Sequence, residues 1–325
     1  MQKSSEYCQL FGRFSMMLVA EGLDPSTKLF KESIKEYRRL QTISRREFVG
    51  KSVLGVTALE YLTRGATHLE ADPLGLSIGC QTWPVRETIG KDLDGTLRRL
   101  SAAGFRRIEL CSPQSYRDSG FGPLADMKPS ELREKIQTAG LRCQSCHYGL
   151  KELKEHLDER LAYAKELRLG QMIIASFGLH KDAKLADWMQ AADDANKLGE
   201  KTQEAGIQLG YHNHDSEFQK MEGQLIYDKL MEEFDPRAVK MQFQVEVVRL
   251  GYNAADVFEK YPGRFISMHL QDWSPSLNKE VPIGQGMVDW KKVFAAAKTA
   301  GVKNYFVEMD PEAMAASVPY LHNLT

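Results

Sequence analysis

The sequence predicts a (β/α)8 barrel. Three observations carry that expectation: short apolar runs alternate with longer periodic segments from Leu74 onward, four helix-end glycines open the following run in the same way, and the later runs share a polar parity. At 325 residues the chain is long enough for one large core or two ordinary domains, so the order of elements decides between them.

Taken in order, the strands are expected at Leu76 to Trp83, Arg107 to Cys111, Arg142 to Tyr148, Gln171 to Phe177, Ile207 to His214, Val239 to Val248, Phe265 to Asp272 and Asn304 to Asp310. Helical periodicity fills the gaps at Leu93 to Ala103, Ser130 to Ala139, Leu153 to Leu169, Leu185 to Ala205, Gly223 to Phe234, Ala254 to Tyr261 and Trp290 to Ala300, with Ala313 to Leu324 closing the chain. The segments SAAGFRRIEL, QTAGLRCQS, QEAGIQLGY and KTAGVKNYF form a weak repeat, in which Gly104, Gly140, Gly206 and Gly301 end a helix in the left-handed region. A doubly wound sheet, the competing architecture, would show fewer strands and a glycine-rich loop after the first one; here Pro84, Val85 and Arg86 follow it. The barrel is therefore assigned to residues 74–325 as a single domain, and residues 1–73 to a leader outside it.

Within that leader SRREFVGK places a twin arginine before the modestly apolar stretch Ser52 to Leu62. The order resembles a twin-arginine export signal and implies a periplasmic or exported protein; without export the protein would be cytoplasmic. The chain carries 43 Lys plus Arg against 44 Asp plus Glu, so no global field draws it to nucleic acid or an anionic membrane. No apolar run is long enough to span a bilayer. The five cysteines, Cys8, Cys80, Cys111, Cys143 and Cys146, are scattered and odd in number, unlike a disulfide framework. A small molecule is the expected partner, with homo-oligomerisation left open.

Strand parity locates the candidate site. In strand six Gln242, Gln244 and Glu246 share one face, opposite Met241, Phe243, Val245 and Val247. Strand seven sets Ser267, His269 and Gln271 against Ile266, Met268 and Leu270, strand five places Gln208, Gly210, His212 and His214 together, and strand eight does the same for Phe306, Glu308 and Asp310. Helix-covered parallel strands should be apolar on both faces, so the polar faces point into a lumen whose C-terminal end holds the chemistry. There YHNHDSEF offers two imidazoles and two carboxylates within seven positions.

Other motifs are weaker. CQSCH at Cys143 to His147 matches a haem-attachment spacing, but in a barrel strand its alternate residues face opposite ways, so the cysteines are read as packing and His147 as reaching the pocket. IGQG is a poor phosphate signature alone, and Asp289 after it reads as a helix N-cap. Glu308, closing the buried run YFV, needs a cation, a proton or strong hydrogen bonds, and Glu109 in RRIEL raises the same demand more weakly. Trp83, Trp273 and Tyr148 at strand ends could stack on sugar faces or simply pack.

From Leu74 to Leu324 the chain resembles the xylose isomerase-like barrels of the sugar phosphate isomerase/epimerase superfamily, through IGCQTWPVR, GFRRIEL, GYHNHDSEF, YPGRFISMHLQD and GQGMVDWKKVFAAAKTAGVKNYFVEMD in that order. The resemblance implies a divalent metal (Mn, Mg or Zn) held at the ends of strands five to eight, and a keto or hydroxy sugar as substrate. Its strand-seven histidine corresponds to His269, its strand-eight glutamate to Glu308 and its strand-five ligand to His212, with Glu217 close behind. The usual strand-six aspartate is replaced by Gln244, which brings no charge, so a cation would need Glu246 or Glu217 to compensate.

The implied chemistry is proton abstraction through an enediolate, with Glu308 as base or ligand and His147, His212 or His214 as proton carriers. Gln81, Trp83, Glu109, Asn213, Gln244, Asp272 and Trp273 are the expected substrate-binding residues. Isomerisation and epimerisation lead. A 3-keto-glycoside lyase using the same first step, and a carbohydrate-binding barrel that has lost its metal, are the alternatives. The related DNA-repair endonucleases are disfavoured by the balanced charge.

Overall fold

A computed structural model of the protein describes residues 72–324. Eight parallel strands close into a barrel: β1 Gly79–Gln81, β2 Arg107–Cys111, β3 Arg142–Gly149, β4 Gln171–Ser176, β5 Gln208–His212, β6 Val239–Gln244, β7 Phe265–Leu270 and β8 Asn304–Val307. Each strand pairs with its sequence neighbours, and β8 closes on β1 through Gly79 and Phe306. The helices between them are α1 Leu93–Ala102, α2 Pro129–Thr138, α3 Leu150–Leu167, α4 Leu185–Glu204, α5 Ile226–Glu233, α6 Ala254–Lys260, α7 Trp290–Ala300 and α8 Pro311–His322.

Amphipathic spacing explains why these helices lie where they do. In α7, Trp290, Val293, Phe294, Ala297 and Ala300 recur at three- and four-residue steps and are buried, while Asp289 caps the helix by accepting from the Lys292 amide at 3.1 Å. The outward parity of the strands meets this layer: Met172, Ile174, Leu209, Tyr211, Met241, Phe243, Met268, Leu270, Tyr305 and Val307 are all inaccessible. Each such side chain contributes roughly 1.5–3 kcal/mol of burial. The four helix-end glycines take the left-handed conformation the repeat demanded, from φ 78° at Gly140 and Gly206 to 107° at Gly104. At Gly301 nothing lies within 4 Å of an added Cβ, so the backbone angle of 83°, not space, is what requires glycine there.

Three boundaries differ from the expectation and matter for the site. Strand six stops at Gln244, and Val245–Leu250 winds into a 3-10 turn ended by Gly251 at φ 90°, so Glu246 leaves the strand parity. Strand five stops at His212, putting His214 on the loop, and strand eight stops at Val307, putting Asp310 at the N-cap of α8. Ile266 does not join the outer layer: a bulge lets β6 step from Phe265 to Ser267, and Ile266 Cγ2 lies 3.6 Å from where a Cβ on the inward-facing Gly210 would be.

The twin-arginine motif and its apolar stretch lie outside the described residues. Among those described, no helix is long and apolar enough to cross a membrane.

Candidate active site

The lumen is sealed below and polar above. A Cβ on Gly79 would sit 2.7 Å from Phe306 Cδ1, and one on Gly210 would sit 2.6 Å from Ile173 Cδ1, so glycine at these positions lets Phe306 and Ile173 fill the floor. Above them Glu109 is fully buried near the barrel axis and gathers donors from four strands. Its Oε2 accepts from Gln81 Nε2 at 2.7 Å and His269 Nε2 at 2.5 Å and lies 3.0 Å from His147 Nε2, while Oε1 accepts from Gln242 Nε2 at 2.8 Å and from the Ser145 hydroxyl.

His269 joins two carboxylates. Its Nδ1 donates to Glu308 Oε2 at 2.8 Å and its Nε2 to Glu109, an arrangement that needs both ring nitrogens protonated. Burial by itself would depress this imidazole, but Glu308 and Glu109 override it and push it up to about 10. The same pairing works in reverse on the acids. Desolvation opposes their ionisation, yet the imidazoles of His147 and His269 hold Glu109 below the usual carboxylate range, and His269 foremost does so for Glu308.

His147 Nε2 lies 2.6 Å from Gln242 Oε1 as well as near Glu109; both neighbours accept, so this nitrogen carries the proton. The His147 ring stacks on His269 at 5.2 Å, and His212 lies 5.1 Å and 4.5 Å from the two of them. His212 is buried and held well below its ordinary range, first by desolvation and then by the other imidazoles, and its Nδ1 has no hydrogen-bond partner.

These three imidazoles could hold a metal. Each offers a ligand atom within 4.8 Å of the others, His212 Nδ1 is buried without a hydrogen-bond partner, and the Glu109 carboxylate lies against the other two rings. Neutral imidazole nitrogens beside a carboxylate are donors of the kind a divalent metal ion takes. The residues that the sequence pointed to are only partly the ones gathered: His147 and Glu109 enter, and Glu217 does not. Glu217 follows the outward parity of Tyr211, accepting from the Tyr211 hydroxyl, the His214 amide and Ser216 Oγ at the strand end.

Above this cluster opens a cavity of about 650 Å³, lined by Trp83, His214, Gln244, Gln271, Glu308 and their neighbours. Its size suits a small-molecule ligand. Glu308 connects the two levels, since its Oε2 takes His269 from below and Gln244 Nε2 at 3.0 Å from the side while the residue itself lines the cavity. His214 is exposed at the mouth, edge-on to His212 at 4.7 Å. Trp83 is half-buried, with Tyr116 against its edge at 5.6 Å and the Arg86 guanidinium over its ring at 4.4 Å.

The remaining candidates have other partners. Asp272 is buried and accepts from the amides of Trp273, Gly284, Gly286 and Val288 and from Trp290 Nε1, so it organises the loop between β7 and α7. Asn213 Oδ1 accepts from the Gln244 amide and ties the ends of β5 and β6 together. Gln81 Oε1 accepts from the amides of Thr82 and Trp83, and Trp273 sits in the hairpin Asp272–Ser274 with Lys279–Val281. That hairpin brings Glu280 over the cavity, a residue the periodicity did not mark because its position depends on the hairpin and not on a barrel strand. Ser267, which completes the hydrogen bonds of Gln242, was signalled only by inward parity, and Ser145, which donates to Glu109, was not marked by the sequence reading at all.

The similarity to known proteins follows the barrel. A profile of the xylose isomerase-like TIM barrel matches residues 97–321. An inosose dehydratase of Geobacillus thermodenitrificans is 28% identical over 146 residues, 38% of this chain and 48% of that protein; the chain thus matches about half the length of such curated relatives. Among solved structures, a sugar phosphate isomerase/epimerase from Parabacteroides distasonis aligns over 76% of this chain and 93% of its own at 24% identity and a TM-score of 0.66. The IOLI protein, solved with a bound zinc atom, aligns over 77% of this chain and 95% of its own at 14% identity and a TM-score of 0.57. With the profile covering most of the closed barrel, the chain belongs to the xylose isomerase-like TIM barrel family.

Proposed function

We propose that this protein is an enzyme that removes the proton α to the carbonyl of a keto sugar or keto cyclitol and passes through an enediolate. The position of Glu308 carries the reading, because its carboxylate faces both a substrate-sized cavity and the buried imidazolium of His269. His269 and Gln244 both donate to Oε2, which orients the carboxylate and leaves Oε1 for the substrate. His269 keeps Glu308 ionised and ready to accept a proton, while Glu109 holds His269 in its charged form from the opposite side. His214, exposed and lining the same cavity, is the candidate to return a proton. The floor of Phe306 and Ile173 excludes water from below.

A divalent ion could be held by His147, His212 and His269 with a carboxylate only once His269 gives up its second proton; bound there, it would replace that charge beside Glu308 and supply Lewis-acid polarisation of the carbonyl and hydroxyl oxygens. The IOLI protein, a barrel of the same fold, was solved with a bound zinc atom. Return of the proton to the same carbon gives epimerisation, and return to the neighbouring carbon gives isomerisation. Loss of a β-hydroxyl from the enediolate gives dehydration, a second reading favoured by the curated relatives named inosose dehydratase.

Solvent-deuterium incorporation tests the common first step. Incubated in D2O with D-psicose, D-tagatose and inosose, the protein is expected to label the α-carbon of at least one, and Glu308→Gln to slow labelling by roughly 10²–10⁴-fold. Labelling unaffected by Glu308→Gln would remove Glu308 from the reaction.

A further inference from the structure

We infer that the cavity takes an unphosphorylated polyhydroxy sugar and excludes its phosphate esters. This rests on the proposed sugar chemistry and adds the substrate class. In a (β/α)8 barrel the usual place for a phosphate is formed by the loops after strands seven and eight, with backbone amides at a helix N-terminus. In this chain the amides at that place are already engaged by the protein's own carboxylates. In the loop after β7, Asp272 takes the amides of Gly284, Gly286 and Val288. After β8, Glu280 Oε1 takes the Asp310 amide at 2.9 Å, the Asp310 side chain caps the Glu312 amide at 3.0 Å, and Pro311 has no N–H to offer.

The wall of the cavity agrees. Glu87, Glu246, Glu280, Glu308 and Asp310 line it against a single arginine, Arg86. That arginine stacks on Trp83 and donates from Nη1 to the Trp83 carbonyl at 3.1 Å, and the nearby Arg249 is engaged by Asp215 and Glu246. Burial pushes both Glu246 and Glu280 upward, and neighbouring carboxylates add to it, so a further anion would enter against crowded negative charge. Two buried acceptors lack partners, Gln244 Oε1 and Gln271 Oε1, and both side chains line the cavity. Such a wall asks its ligand for hydrogen-bond donors. Sugar hydroxyls donate; a phosphate dianion only accepts.

Calorimetric titration separates the classes without requiring turnover. D-fructose, D-tagatose, D-psicose and inosose are the neutral probes, with D-fructose 6-phosphate and D-tagatose 6-phosphate as the esters. At least one neutral probe is expected to bind, with each ester at least 100-fold weaker than its parent sugar or undetectable. In the isosteric double variant Glu246→Gln, Glu280→Gln the gap should narrow at least tenfold, and Glu246→Gln alone should narrow it in part. Esters binding as tightly as their parents, or no neutral probe binding at all, would overturn the inference. Selective binding of neutral sugars without any deuterium labelling would instead refute the proton-transfer reading and leave this one standing.

Discussion

At the level of single residues, Glu109 has the most to explain. A glutamate in RRIEL signals only that a buried carboxylate needs partners; the partners come from β1, β3, β6 and β7, far apart in sequence, and no local spacing announces them. His147, His212 and His269 were legible because parity alone sends them inward, and Glu217 misled because its proximity to His212 in sequence hides an outward turn beside Tyr211. Glu109 is expected to be structural as much as chemical. Glu109→Gln keeps the shape but removes the charge opposite a buried imidazolium, and should cost about 3 kcal/mol or more in the metal-free protein. Urea denaturation measures it; a loss below about 0.5 kcal/mol would mean that His269 is not held charged from this side.

At the level of elements, the strands were legible to within a few residues, whereas their ends were not. MQFQVEV alternates without a break, yet the strand stops at Gln244, because periodicity records which side faces the core and not where the ladder runs out. The consequence is functional: the 3-10 turn Val245–Leu250 carries Glu246 to the cavity rim, where it meets Arg249. The loop between β7 and α7 shows the same limitation, since HLQDW and IGQG read as separate motifs while the structure joins them through Asp272. Asp272→Ala would orphan four amides and the Trp290 indole, and should destabilise the protein by about 3 kcal/mol. Hydrogen exchange should speed up first at Gly284, Gly286 and Val288; unchanged protection there would refute the role given to Asp272.

For the whole molecule, closure of the barrel gathers charged and neutral imidazoles at one level, and this makes global stability depend on pH in two directions. His269 is raised from 6.5 to about 10, so its folded form binds the extra proton; its contribution is complete below the unfolded value and is lost as pH rises towards 10. His212 is depressed, so the folded state binds fewer protons than the unfolded chain and stability is lost as pH falls below 6.5. Glu109 and Glu308 are lowered from 4.5, and their contribution is lost as pH falls from that value. The three effects place the maximum for the metal-free protein at about pH 6.5. Urea midpoints measured in chelator across pH 4 to 8.5, below the range in which the buried thiols Cys80, Cys111, Cys143 and Cys146 add their own alkaline loss, should fall on both sides of it, and His269→Gln should abolish the alkaline fall. Loading a divalent ion should reverse that limb in the wild type, because imidazole ligands bind metal only when deprotonated and rising pH then favours the bound, folded state. An alkaline limb identical in wild type and His269→Gln would show that the His269 imidazolium between Glu109 and Glu308 does not stabilise the fold.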